Sequence, residues 1–230
     1  MFLGLPPALP ALLVKAIGQT LSMVGVSAVL AVLIGLPLGI LLVVTAPGAF
    51  LERRVLNRIV GIAVNLVRST PFIIMMVAII PFTRILVGSS VGTAAAIVPL
   101  TIAITPLFAR LAENAMREVD PTLIEAAQAM GAAPLQIIRT VILREALPGL
   151  IAGLTVMLVS LIGYSTMAGT VGGGGLGDLG IRFGYQRFMP EVMLVVVIVL
   201  VIIVNTVQIV GDRVARAVNR RVARNRRGRS

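Results

Sequence analysis

From Val192 to Gly211 the chain carries no charged side chain, and Val192–Val210 is mostly valine, isoleucine and leucine. As an α-helix this run would cross the hydrocarbon core of a bilayer, which takes about 20 residues. A segment like this constrains the fold strongly. In lipid its backbone polar groups are satisfied only within a helix or a closed barrel. Four more mainly apolar runs lie near Thr20–Val44, Ile59–Ile80, Val91–Leu111 and Leu150–Thr170; Asn65, Arg68, Ser69 and Thr70 make the first half of the second polar, so its lipid-embedded part is expected to shift toward Phe82. The composition agrees: 58% of residues are hydrophobic, 13% are charged, and the mean hydropathy is +1.04. No soluble core could hide so much apolar surface. The expected fold is all-α and integral to the membrane, with about five transmembrane helices. An external segment (1–18) precedes the transmembrane region (19–210), and a basic tail (211–230) follows it. Pro6, Pro7 and Pro10 interrupt the first residues, which lack the positive start of a signal peptide and read as a surface segment.

Five spans put the termini on opposite sides. Arg53, Arg54 and Arg58, then Arg117, Arg139 and Arg144, then the tail fall on one side. Lys15, Arg84, Arg182 and Arg187 fall on the other. The arginine-rich side is expected to be cytoplasmic, giving an outside N-terminus and an inside C-terminus. The net charge of +11 has the same origin, since eight arginines lie beyond residue 212. A basic stretch beside a span is an orientation signal and a contact for lipid headgroups, so no nucleic-acid partner is expected.

Several function classes drop out. The chain has no cysteine and no histidine, which removes the common zinc and haem ligand sets, and no metal site is expected. There is no phosphate-binding G-x₄-G-K-[ST] loop. Gly172, Gly174 and Gly177 do spell G-x-G-x-x-G, but after a membrane helix rather than a strand. That run reads as a flexible outer loop, serving as a linker, in gating, or in docking a partner. No nucleophile and base stand together, so no catalytic residues and no enzyme activity are expected. Tryptophan is absent and aromatics are 4%, so the aromatic belt at the membrane surface is thin.

One stretch is out of keeping with the rest. Between the third and fourth runs, residues 120–148 bring back charge: "DPTLIEAAQAMGAAPLQIIRTVILREALP". Asp120 is placed to cap a short helix, and Pro121 to open it. Gly131 can take the left-handed position that stops it. Pro134 then starts a second helix, ending before Pro148. The insert reads as helix–turn–helix on the cytoplasmic face. Its first helix is too short to stand alone in water. It is either an amphipathic linker or an element that seats in a partner's groove.

The insert resembles the cytoplasmic signature of ABC importer permeases, EAA-x₃-G-x₉-I-x-L-P. Glu125, Ala126 and Ala127 supply the first part, followed by Met130 and Gly131 and, nine residues on, Val141, Ile142 and Leu143. Val141 stands for the isoleucine and Arg144 for the proline. "RSTPFIIMMVAIIPFTRILVG", "AAIVPLTIAITPLFARLAENA" and "GYSTMAGTVGGGGLGDLG" resemble the methionine importer permeases within that family. The resemblance implies a type I permease fold of five spans, working with a second copy of itself in the inner membrane. It also implies two ATPase subunits, which would bind the ATP and magnesium, and an extracytoplasmic substrate-binding protein. The cargo would be methionine (D- and/or L-), or another small solute such as an osmolyte or a different amino acid. Glu125, Ala126, Ala127, Met130 and Gly131 would then form the surface that docks on the ATPase.

A pathway needs polar or polarizable groups on otherwise apolar helices. Asn65, Ser69, Ser160, Tyr164, Ser165 and Met167 are the candidates, with Asn205 and Gln208 as weaker ones. Each of these could equally be a packing residue. Gly35, Pro37, Gly39, Pro71, Pro99 and Pro106 lie within runs and mark either ordinary bends or helices tilted around a pathway. Gly35/Gly39 and Gly149/Gly153 have the spacing that lets helices approach closely. A passive pore and a non-transporting scaffold are the alternatives from other classes, but neither has a use for a docking helix. Glu113, between Arg110 and Arg117 at helical spacing, is expected to pair with both.

Overall fold

The structure, a computed structural model, describes residues 9–227, and side chains as far as residue 219. Its elements are α1 (Leu9–Val44), α2 (Arg54–Ser69), α3 (Phe72–Ala78), α4 (Ile80–Val87), α5 (Thr93–Arg117) and α6 (Pro121–Ala129). They continue with α7 (Pro134–Ile137), α8 (Leu143–Glu145), α9 (Leu147–Ala168), α10 (Gly175–Leu179) and α11 (Pro190–Arg227). Wider π-helical turns follow α7, α9 and α10. Among the described residues there is no strand. Four helices are long and apolar enough to cross a membrane, or five if α2 and α3 count as one broken span.

The elements depart from the sequence expectations at several bounds. The first helix begins at Leu9, inside the expected surface segment 1–18; residues 1–8 lie outside those described. The expected second span, 59–80, is not one helix. Pro71 has no N–H to give a continuing ladder and drives Thr70 out of helical geometry. The chain bends sharply there, between α2 and α3. The third and fourth spans start or end several residues beyond 91–111 and 150–170. The fifth does not stop at 210: α11 continues through Arg227, well into the basic tail.

Two compact units emerge, and each of the four long helices contributes to both. The first contains the residues up to Ala31, Ser69–Ile104 and Leu158–Val207. Its core joins Leu9 and Ala16 of α1 to Leu176 and Leu179 of α10 and to Val192 and Val196 of α11. The second contains Val32–Arg68, Thr105–Met157 and the residues from Gln208. Its core is Val44, Ala112, Ala115, Met116 and Val119 with Ala127, Ile137, Ile142, Ala146 and Leu150.

In the second unit α5 has a neighbour on each of two faces, and both contacts are made through glycine. A Cβ on Gly35 or Gly39 of α1 would lie 3.0 Å from the Thr105 carbonyl oxygen or 2.8 Å from that of Ala109. A Cβ on Gly149 or Gly153 of α9 would lie 2.8 Å from the Ala115 Cβ or 3.1 Å from that of Leu111. The four-residue spacing puts each glycine pair on one helix face, so backbones meet where side chains would hold them apart. Both small-residue pairs singled out in the sequence are therefore helix contacts.

Candidate functional site

The insert forms the turn its residues call for. The Asp120 Oδ1 accepts from the Thr122 N–H (3.0 Å) and the Thr122 hydroxyl (2.7 Å), capping α6 with Pro121 in its first turn. At the other end the Gly131 N–H donates to the Gln128 carbonyl (2.9 Å), and that of Ala132 to the Ala127 carbonyl (3.1 Å). Gly131 sits at φ +76°. This is the Schellman arrangement, which closes the orphan carbonyls of a helix end with a left-handed residue. Pro134 opens α7, and after the π turn at Ile138–Ile142 the helix runs through Arg144 to Glu145. Arginine in place of the signature proline thus leaves the helix intact until Ala146.

The five candidate docking residues do not share a face. Glu125, Ala126, Met130 and Gly131 are exposed, Met130 at 81%. Ala127 is buried at 6%, packed among Ile137, Ile142 and Ala146 of its own chain. It holds α6 to the second unit and cannot meet a partner. The outward face is instead Thr122, Glu125, Ala126 and Ala129, spaced 3, 1 and 3 along one side, with exposed Leu135 beyond the turn. Thr122, Ala129 and Leu135 are not singled out by the sequence, because the buried side of so short a helix is set by Ile137 and Ile142 across the turn.

Beneath the insert, α5 carries a charge cluster. Glu113, 3% exposed, accepts from Arg110 (2.6 Å) and from Arg117 (2.8 Å). The Arg110 guanidinium also donates to the Asn65 amide oxygen (3.0 Å) and the Gly61 carbonyl (3.2 Å). Asn65, a pathway candidate from the sequence, is instead an anchor of α2 on α5. The two arginines offset the desolvation cost of the buried carboxylate, which would be large if it stood alone.

In the first unit, Ser160, Tyr164 and Met167 fall along one side of α9 at spacings of four and three. Tyr164 stacks on Phe72 of α3, ring centroids 4.8 Å apart and nearly parallel. Met167 is 48% exposed and borders a groove of about 200 Å³ with Thr166, Thr170, Met193 and Val197. A second cavity, about 180 Å³, is lined by Met76, Thr83, Ser90, Val91, Pro99 and Val171. Ser165 does not belong with this face. It is 1% exposed, and its hydroxyl donates to the Ile162 carbonyl (2.7 Å), as suits a hydroxyl in an apolar helix. Ser69 is exposed at the end of α2, and the Asn205 amide is taken by the Val201 carbonyl (2.8 Å).

The glycine run is packed rather than loose, against the sequence expectation. The Gly175 N–H donates to the Gln19 Oε1 and the Leu176 N–H to the Thr20 Oγ1, each at 2.9 Å. A Cβ on Gly177 would lie 2.2 Å from the Thr166 carbonyl oxygen. The glycines let α10 lie directly against the backbone of α9, which no larger residue permits.

Long apolar helices with a capped, exposed helix between two of them define the class, and comparison with known proteins gives the family. The chain belongs to the binding-protein-dependent transport system inner membrane components, whose family model matches residues 35–224. It is thus the permease component of an ABC importer. It is 50% identical over 210 residues to a probable D-methionine transport system permease protein, MetI, of Vibrio cholerae serotype O1, covering 91% of this chain and 93% of that one. Among solved structures it is similar to a chain of the MetNI methionine ABC transporter in inward-facing conformation, at 49% identity and a TM-score of 0.92. That match covers 93% of this chain and 99% of the other. An amino acid ABC transporter crystallised with histidines shares the fold alone, at 17% identity and a TM-score of 0.74 over 90% of this chain and 94% of that one.

Proposed function

We propose that this permease carries methionine, in the D- or L-form, into the cell as a homodimer driven by two separate ATPase subunits and fed by an extracytoplasmic binding protein. ATP and magnesium belong to the ATPase in this reading. The observation that carries it is the near-complete match to the MetNI chain, 49% identical along 93% of this sequence. The N-terminus lies outside and the C-terminus in the cytoplasm, which puts α6 on the ATPase side.

The geometry supports a mechanical role for α6. Its outward face of Thr122, Glu125, Ala126 and Ala129 is small enough for a groove to close around it. Its inward face, through Ala127, is part of the core that contains Ala112 and Ala115 of α5 and Leu150 of α9. A displacement of α6 therefore moves α5 and α9 as packed bodies rather than deforming the insert. Helix α9 also carries Ser160, Tyr164 and Met167, which we assign to the pathway; Ser69 joins them on α2.

The test is ATP-dependent uptake of labelled D- and L-methionine by vesicles holding the permease, its ATPase and its binding protein. Concentrative uptake of either form is expected. Transport of an osmolyte or another amino acid with none of methionine would defeat the reading. Glu125→Lys is expected to abolish co-purification of the ATPase while leaving the permease inserted and folded. Normal co-purification and uptake in that variant would remove the docking role of α6.

A further inference from the structure

Three of the chain's nine aromatic side chains, Phe183, Tyr185 and Phe188, fall within six residues. They lie in the turn that leads into α11. This turn is closed by its own hydrogen bonds: Gln186 N–H to the Ile181 carbonyl, Phe188 N–H to that of Tyr185, and Met189 N–H to that of Phe183. It is also pinned to α11. Phe183 and Met189 pack on the core that holds Val192 and Val196, and Gly184 sits so close to Met193 that a Cβ there would be 2.8 Å from the Met193 Cβ.

Two rings nevertheless point away from the chain. Tyr185 is 68% exposed and Phe188 is 86% exposed. Phe188 is also the only described non-glycine residue with positive φ, at +53°. A left-handed conformation is unfavourable for a side chain of this size, and here it buries nothing within the protein. The ring needs an apolar surrounding from outside the chain.

We propose that this turn is an interfacial lipid anchor, with Tyr185 and Phe188 held at headgroup depth and Arg187 among the phosphates. The depth follows from α11. Its uncharged run from Val192 to Val210, at about 1.5 Å per residue, is about 28 Å long and matches the hydrocarbon core. The pinned turn lies just beyond one end of that run. Leu194, Ile198, Val201 and Ile202 form an exposed apolar face on the same helix, one turn onward, so the rings continue a lipid-facing surface. Arg187 stacks its guanidinium over Phe183 (4.5 Å) and remains exposed, an arrangement that presents a cation beside an aromatic platform. Aromatic and basic residues at that depth are what a bilayer surface selects. In a chain without tryptophan the belt on this helix is gathered in one turn.

The natural absence of cysteine makes each introduced thiol unique. The full-length chain carrying Phe188→Cys or Gln186→Cys is labelled with a nitroxide in vesicles of three parts phosphatidylethanolamine to one part phosphatidylglycerol. Accessibility to oxygen is compared with accessibility to a water-soluble nickel chelate. Val201→Cys marks the lipid-facing limit and Thr122→Cys the aqueous one. Both turn labels are expected between the two limits. With Tyr185→Ala and Phe188→Ala added, the Gln186 label is expected to shift toward the aqueous value, which separates the rings' role from that of the turn. Labels that match Thr122→Cys in the vesicles overturn the proposal. So do labels that are aqueous there and become shielded only when the extracytoplasmic binding protein is added, since the turn would then be a protein-docking surface.

Discussion

Gly131 and Gly177 look alike in the sequence, and the structure uses them in opposite ways. Gly131 ends α6 at φ +76°, with no atom within 4 Å of where its Cβ would be. Gly177 has no left-handed backbone, yet its Cβ would lie 2.2 Å from a carbonyl oxygen of α9. The first glycine is required by local conformation, the second by the closeness of another helix. A conformational requirement is written in the neighbouring residues. A steric one depends on a partner far away in sequence.

The two cases should respond differently to one methyl group. Gly177→Ala has no room and pushes backbone against backbone, so a loss above about 3 kcal/mol is expected, at the upper end of overpacking costs. Thermal unfolding of the detergent-solubilised chain, or its failure to run as a single species on gel filtration, would register it. An unfolding temperature like that of wild type would mean that α9 and α10 are not in backbone contact. Gly131→Val comes next. It has space but the wrong φ, and about 1–2 kcal/mol is expected locally, with the spans intact. Gly131→Asn should recover most of that, because asparagine tolerates the left-handed region. Equal damage from valine and asparagine would break the distinction between the two glycines.

Removing the cap at the other end of α6 is a smaller change of the same local kind. Asp120→Ala is expected to cost about 1 kcal/mol, seen as faster amide exchange in residues 122–124 with no change in α9. Exchange that spread into α9 would mean that the insert is less locally built than its turn implies. The smallest effect belongs to the turn before α2. Glu52 accepts from the Gly48 N–H (2.9 Å) and pairs with Arg54, and these hold its carboxyl below its ordinary value of 4.5, the backbone bond first. A depressed carboxylate adds stability that is complete above the ordinary value and is lost as pH falls through the native one. Protection of the Gly48 amide, corrected for intrinsic exchange, should therefore fall on acidification below 4.5, and Glu52→Gln should abolish that dependence. An unchanged pH profile in the variant would leave the turn held by something other than Glu52.

The same division runs through the candidate sites. Asp120, Pro121, Gly131 and Pro134 act on residues within a turn of themselves, and the structure places each as its chemistry predicts. Glu113 likewise meets Arg110 and Arg117 because all three lie on one helix. Ala127 belongs to the docking motif, but which side of a short helix is buried depends on Ile137 and Ile142 across the turn. Ser165 looked like a pathway hydroxyl, and its burial is decided by the helices packed on α9. Thr122 and Ala129 became visible only once that inward side was fixed.

The sequence by itself determined that the chain is helical and membrane-embedded, because lipid leaves the backbone of uncharged runs almost no other choice. It also determined the capped turn of the insert, where each group finds its partner a few residues away. Tertiary structure alone decided that the glycine run is packed against Gln19, Thr20 and Thr166, and that α1 and α9 both close on α5 through glycine. Those outcomes depend on distances between residues as much as 156 positions apart. Apolar composition carries no register for such contacts, since nearly every residue around them is equally suited to be buried.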